Sequence, residues 1–190
     1  AGDYEERGDF SVLPYESQVL SRDHGISIEL SRRAHVFDRG QSFPVTVRKS
    51  ISLESGRTNL HIEYRLANEG GDSISGILGV EWNINLLGGG HNDQAYFEVP
   101  SFRVKDTHLD SSGELPPVAG LALGNRQLGI RLELSMRPPC AVWRFPVETV
   151  SNSEAGIERL YQATCLLLRM PFTLSPGQET GLSIDWRQCT

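Results

Sequence analysis

Cysteine is scarce, with only Cys140, Cys165 and Cys189 in the chain. The count is odd and no pair has C-x-x-C spacing, which excludes a zinc ribbon and a disulfide framework. Thiols kept reduced fit a cytoplasmic protein. No apolar run approaches the roughly 20 residues that span a bilayer. The opening AGDYEERGDF is too charged to be the apolar segment of a signal peptide. No asparagine stands in N-x-[ST] spacing, so nothing marks a glycosylated secreted chain. Positive charge is also short: Lys and Arg total 18 against 24 acids, the formal net charge is −6 and the pI about 5.4. Such a chain gains nothing from counterion release on phosphate backbones. It also lacks the basic patch that anionic membranes attract. Neither nucleic acid nor a membrane is an expected partner.

Against these absences stands a strong period of two. In TNLHIEYRL, Leu60, Ile62, Tyr64 and Leu66 share one face, while Asn59, His61, Glu63 and Arg65 take the other. LGIRLELSM alternates through Leu128, Ile130, Leu132, Leu134 and Met136, and VTVRKSISL through Val45, Val47, Ile51 and Leu53. Strict alternation marks strands with one buried and one wetted face, the habit of antiparallel sheets. Turn signals separate these runs at Glu69–Asp72, Ser111–Gly113, Leu123–Asn125 and Ser175–Gly177. Roughly ten strand candidates at this close spacing point to an all-β fold, a large antiparallel β-sandwich. Residues 1–190 read as one domain, since 190 residues with 38% hydrophobic and 22% charged content support a real core. Helix signals are thin. Ser151–Glu154 has capping-box spacing ahead of a short turn at Ala155–Leu160, although Gly156 weakens it. Asp106–Val118, polar and then proline-rich, reads as a long loop. A first residue other than methionine is what a segment cut from a longer chain would show, and a fragment is the expectation.

Three stretches concentrate polar chemistry. In GVEWNINLLGGGHNDQAYF, a strand over Gly79–Leu87 puts Glu81, Asn83 and Asn85 on one face and Trp82, Ile84 and Leu86 on the other. A row of carboxylate and amide groups offers the paired donors and acceptors that bind sugar hydroxyls. The same row serves equally as a register-fixing polar layer or a face covered by another domain. Gly88–Gly90 is neither a P-loop nor a dinucleotide fingerprint, and reads as a turn with positive φ that carries His91, Asn92 and Asp93 on a loop. His91, His108, Glu81, Asp93, Asp106 and Asp110 form a conceivable metal or acid/base set, but Asp106–Asp110 lacks the EF-hand glycine and terminal glutamate. No metal or cofactor is expected. Finally, VWRFPVETVSNSEAGIERLYQ gathers Arg144, Glu148, Ser153, Glu154 and Tyr161 beside Pro146, which breaks a ladder at an edge or bulge. No G-x-S-x-G elbow and no cysteine beside a base are present.

DYEERGDF with PYE, then GVEWNINLL, then VWRFPVETVSNSEAGIERLYQ and LSPGQ, in that order, resemble the C-terminal β-sandwich domain of glycoside hydrolase family 57. That group contains α-amylases and 4-α-glucanotransferases. The resemblance implies a galactose mutarotase-like supersandwich. It also implies a (β/α)7 barrel elsewhere in the same polypeptide, carrying a glutamate nucleophile and an aspartate acid/base. This chain has no β/α alternation to build such a barrel, so no catalytic residue carries over.

The expected role is therefore a non-catalytic module of an α-glucan-processing enzyme. Packing on the barrel is its expected role, with α-1,4-glucan as a second candidate partner. The residues expected to contact sugar or the partner domain are Glu81, Asn83, Asn85, His91, Arg144, Glu148, Glu154 and Tyr161. Two alternatives stand beside this. An independent carbohydrate-binding module would need an aromatic platform from Trp82, Trp143, Tyr96 or Tyr161. A mutarotase-type epimerase would cast His91 or His108 with Glu81 as acid and base.

Overall fold

A computed structural model describes residues 7–22, 24–88, 90–153 and 156–189. The described residues form ten strands and no helix, so the all-β expectation holds. The strands are β1 (Glu16–Arg22), β2 (Gly25–Asp38), β3 (Gln41–Glu54), β4 (Asn59–Asn68), β5 (Ile74–Ile84), β6 (Ala95–Glu98), β7 (Gly113–Asn125), β8 (Ile130–Ser153), β9 (Gly156–Leu174) and β10 (Glu179–Cys189). Backbone contacts divide the chain into two compact units. One holds Ala1–Ile77 with Pro171–Ile184, and the other holds Leu78–Met170 with Asp185–Thr190. Strands β5, β9 and β10 run continuously from one unit into the other.

In the first unit the order is β1-β2-β3-β4-β10, with β1–β2, β2–β3 and β3–β4 antiparallel. The β2–β3 hairpin closes on Arg39 (φ 48°) and Gly40 (φ 78°). Two consecutive positive φ values give the primed turn whose twist matches the strands. Phe43, Val45, Val47, Leu66, Ile74 and Leu174 build the core, with Phe10, Tyr15, Val36 and Phe172 packed against it. Asn68 is buried at the end of β4 and fully used. Its Nδ2 donates to the carbonyls of Asp72 (2.8 Å) and Leu174 (3.0 Å), and its Oδ1 accepts from Gly70 N–H. One side chain thus fixes two of the turns marked in the sequence.

In the second unit β7 pairs with β6 and β8, and β8 pairs with β9 through a hairpin. β8 is long enough to serve several neighbours. Ile130–Arg144 lies along β7, and Ala141–Ser153 lies along β9. The β7 ladder slips at Leu115, Val118 and Gly120, where Pro116 and Pro117 cannot donate. The second half of the expected Asp106–Val118 loop is therefore strand, its prolines placed at a bulge. The bulge expected near Pro146 falls between Val147 and Glu148. The expected turn at 155–160 is a correction. Ser151–Ser153 end β8, and Gly156–Leu160 begin β9. A single helical turn is costly to nucleate, and the β-branched Thr149, Val150 and Ile157 favour the ladder. Glu154 lies outside the described residues.

Across the β6–β7 ladder, Tyr96 stands opposite Gly124, and a Cβ at that glycine would meet the tyrosine ring at 2.5 Å. The ring is held in place. Arg131 donates to its hydroxyl at 3.2 Å, and Arg126 stacks over it at 4.4 Å. Gly124→Ala is therefore expected to lower unfolding free energy by about 1–3 kcal/mol, the usual cost of overpacking. Urea melts of Gly124→Ala with and without Tyr96→Ala measure it. The second change should recover part of the loss, and additive losses would mean that the contact is not the cause.

Candidate functional site

The geometry starts from Arg144. Cys140, Val142 and Arg144 share the buried phase of β8, and the arginine is only 5% exposed. A buried guanidinium must find acceptors. Its Nη1 donates to Ser111 O at 3.1 Å and to Ser111 Oγ, and its Nη2 donates to Asp106 O at 2.9 Å. The Phe97 ring lies 5.0 Å beneath it, and Nε has no acceptor. Burial pushes its pKa below the ordinary arginine value, with the Asp106 charge pulling back upward. No carboxylate touches it, so the charge is held by carbonyls and a hydroxyl of the β6–β7 loop.

That loop meets the β5–β6 loop through two imidazoles. His91 and His108 stack with centroids 4.0 Å apart and planes at 21°. His108 Nδ1 sits 2.9 Å from Asp106 Oδ1, and Nε2 sits 3.1 Å from Asp93 Oδ1. Two carboxylates raise the His108 pKa, Asp93 most and then Asp106. The Asp106 carboxyl is lowered in turn by the His108 backbone N–H and then by its ring. His91 is 74% exposed, with Nδ1 3.5 Å from Asp110 Oδ1. Below them, Gly90 packs on Tyr161: an added Cβ would touch the ring at 3.4 Å, and the glycine's φ is 84°. Tyr161 O–H donates to Thr164, whose hydroxyl donates to Leu109 O at 2.7 Å. Burial, aided by the Asp110 charge, raises the tyrosine pKa despite that hydrogen bond.

The structure thus brings together three of the expected contact residues, His91, Arg144 and Tyr161, with Asp93, Asp106, His108 and Asp110. It does not bring the other expected residues to that cluster by any described contact. Glu81 and Asn83 lie exposed on β5 and bond each other at 2.8 Å. Asn85 lies past the strand end and accepts the Leu87 N–H at 2.9 Å, stabilising a residue with φ of 31°. Glu148 pairs with Arg159 at 3.4 Å. Ser111 and Thr164, both buried, are the members that sequence reasoning missed. The available signal was a charged residue, Arg144, in the apolar phase of a strand, because such a residue requires acceptors nearby.

Other readings lose their geometric basis. Trp143 lies under the Arg169 guanidinium at 3.8 Å, Tyr96 under Arg126, and Trp82 makes an edge contact with Trp186 at 5.5 Å. None of these rings is an open platform for sugar. The described contacts join Glu81 to Asn83 and to neither histidine. Among the described residues, no three His, Cys, Asp or Glu side chains converge as metal ligands. Stacked imidazoles direct their nitrogens outward in parallel planes rather than toward a common point.

Comparison with known proteins accords with this picture. A family model described as α-amylase/4-α-glucanotransferase, C-terminal, matches residues 1–184. α-Amylase 1 of Dictyoglomus thermophilum is 29% identical over 121 residues, 63% of this chain and 16% of that protein. The 4-α-glucanotransferase of Thermococcus litoralis is 27% identical over 169 residues, 88% of this chain and 21% of that protein. The chain therefore spans about a fifth or less of these relatives. The crystal structure of the Thermococcus litoralis enzyme superposes with a TM-score of 0.69 at 21% identity, over 98% of this chain and 24% of that one. Two galactose mutarotase-like structures share the fold. One is from Lactobacillus acidophilus (TM-score 0.61, 12% identity, 93% of this chain, 71% of that one). The other is from Clostridium acetobutylicum (0.62, 8%, 93% and 66%). With the match running over nearly its whole length, the chain belongs to the α-amylase/4-α-glucanotransferase C-terminal family.

Proposed function

We propose that this chain is the non-catalytic C-terminal module of a longer cytoplasmic enzyme that hydrolyses or transfers α-1,4-glucan. It packs on a catalytic domain of the same polypeptide and offers the His91–Tyr161 cluster to glucan or to that domain. The observation that carries the reading is the Arg144-anchored pair of loops. Arg144 is fixed from below, while His91 and Asp93 stand at the surface, with Asp110 half-buried beside them, and carry groups suited to sugar hydroxyls. The histidines support a binding rather than a proton-transferring role. Both His108 nitrogens are engaged by carboxylates, so His108 itself is not a free base poised over a substrate. The share of relatives left unmatched supports a partner domain in the same chain.

Titration of the chain with maltoheptaose, followed by amide NMR, tests the glucan contact. Saturable shifts confined to residues 88–94 and 106–111 and to Tyr161 are expected. Silence at millimolar sugar leaves only the packing role. In a parallel assay the chain alone hydrolyses no starch, and activity in a clean preparation would overturn the non-catalytic reading.

The loop clasp also predicts a pH response. The His108 pKa is raised above its unfolded value, so its contribution is full below about pH 6.5 and fades as pH climbs through the folded value. The Asp106 pKa is depressed, so its contribution is full above the ordinary carboxylate value and fades on acidification. The expected result is a His108 ring-proton titration with a midpoint above that of an exposed histidine, moved back down by Asp93→Asn. A midpoint at or below the ordinary value would show that the clasp does not form in solution.

A further inference from the structure

In the first unit the apolar side of the sheet is covered over Val45, Val47, Ile62 and Leu66 but exposed toward edge strand β1 and the end that holds Ile26 and Leu53. Register places Val19, Ile28, Ile51 and Ile62 in one row across β1 to β4, and Ile26, Leu53 and Leu60 in the next. Residues directly opposite share a face, and so do residues two apart. Both rows therefore lie on one side. The other side of the same strands bears Ser27, Ser50 and Ser52, with Glu29, Glu63 and Arg65. This is the pattern of a sheet with one face turned to a core. Burial departs from that pattern. Ile62 is buried and Ile28, Ile51 and Leu60 are half-buried, but Leu53 is 47% exposed, Ile26 43%, and Val19, on edge strand β1, 62%, while the small Ser27 on the other side is buried.

We propose that this face is the seat of further β-strands of the same sandwich, supplied by a segment of the polypeptide outside Ala1–Thr190. Two observations select that occupant. The mutarotase-like structures match almost all of this chain, yet about a third of each has no counterpart in it. The apolar side chains are aliphatic and partly β-branched, spaced by the sheet pleat, which suits the interdigitated side chains of a second sheet layer about 10 Å away. The proposal rests on the module reading only in that the polypeptide continues beyond these residues. Glucan binding and activity play no part in it.

A photoreactive benzoylphenylalanine at Leu53 of the full-length polypeptide tests this, with one at Glu29 on the opposite face as control. Mass spectrometry of the cross-linked peptides should join position 53 to a segment outside Ala1–Thr190, at alternate residues of an apolar run. Position 29 should give at least about tenfold less of the same product. Cross-links from position 53 to a second copy of residues 1–190, or none at all, would overturn the proposal. As a second measure, Leu53→Glu should leave the melting temperature of the 190-residue chain unchanged and lower that of the full-length polypeptide. Equal effects in both would count against a covering layer.

Discussion

Among the described residues, one buried cation organises the loop end of the second unit. Arg144 sits in the apolar phase of β8, where an isolated charge is expensive. No carboxylate neutralises it at contact, so carbonyls and a hydroxyl must. Hydrogen bonds to a charged donor contribute about 1.5–3 kcal/mol each. The planar fork of arginine lets one side chain hold Ser111 and Asp106 together, which the point charge of lysine would not do. The β6–β7 loop is therefore tied to the sheet by its backbone, whatever its side chains are. That leaves His108, Asp106 and Asp110 available for other contacts.

Those contacts follow a consistent electrostatic logic. A chain with net charge −6 places three aspartates near one another on two loops. Left alone they would repel. The His108 imidazolium between Asp93 and Asp106 cancels part of that repulsion, which is why its pKa rises while that of Asp106 falls. Arg144 beneath adds a positive field that also favours ionised Asp106. Of the groups that made a metal or acid/base set plausible in the sequence, His108, Asp93 and Asp106 are committed to one another and His91 faces Asp110, while Glu81 stands apart with Asn83. What faces outward is hydrogen-bonding surface from His91 and Asp93.

Period-two patterning was sufficient to read the strand class, the antiparallel habit and the burial of Val45, Val47, Ile62, Leu66, Leu134 and Met136, while Leu53 and Leu128 of the same runs are 47% and 44% exposed. Alternation is a local property of the pleat, whereas what covers each face is not local. Trp82 fell on the inner side as its phase required, in edge contact with Trp186. The errors came where long-range pairing decides. Ser151–Glu154 has a cap-like spacing, yet in a ladder with thirteen partner pairs Ser151–Ser153 and Gly156–Leu160 are strand. Pro116 and Pro117 signal loop locally, but a bulge accommodates them within β7. Site residues were legible singly and not as a set. Arg144 and His91 stand far apart in sequence, and only the ladder shows that Gly90, Tyr161 and the loop at Asp106 meet. Glu81 and Asn85 looked equivalent by phase, yet one lies on the strand and the other closes the turn after it.

Lys49 narrows how the open face of the first unit can be covered. It lies on that same face, in the row Leu30–Lys49–Tyr64, next to the row of Ile28, Ile51 and Ile62. Its ammonium stands 4.2 Å over the Tyr15 ring and 5.8 Å from that of Tyr64, and burial lowers its pKa. Cation–π contact offsets part of the desolvation. A further dry layer over this row would add to a cost that the two rings only partly meet. Tyr15 already occupies the space there, since it packs on the core formed by Phe43, Val45 and their neighbours. The chain thus closes this end of the face itself, with an aromatic and a charge. The rows of Val19–Ile62 and Ile26–Leu60 carry no charged side chain, so a second sheet has its natural seat over them and its boundary at Lys49.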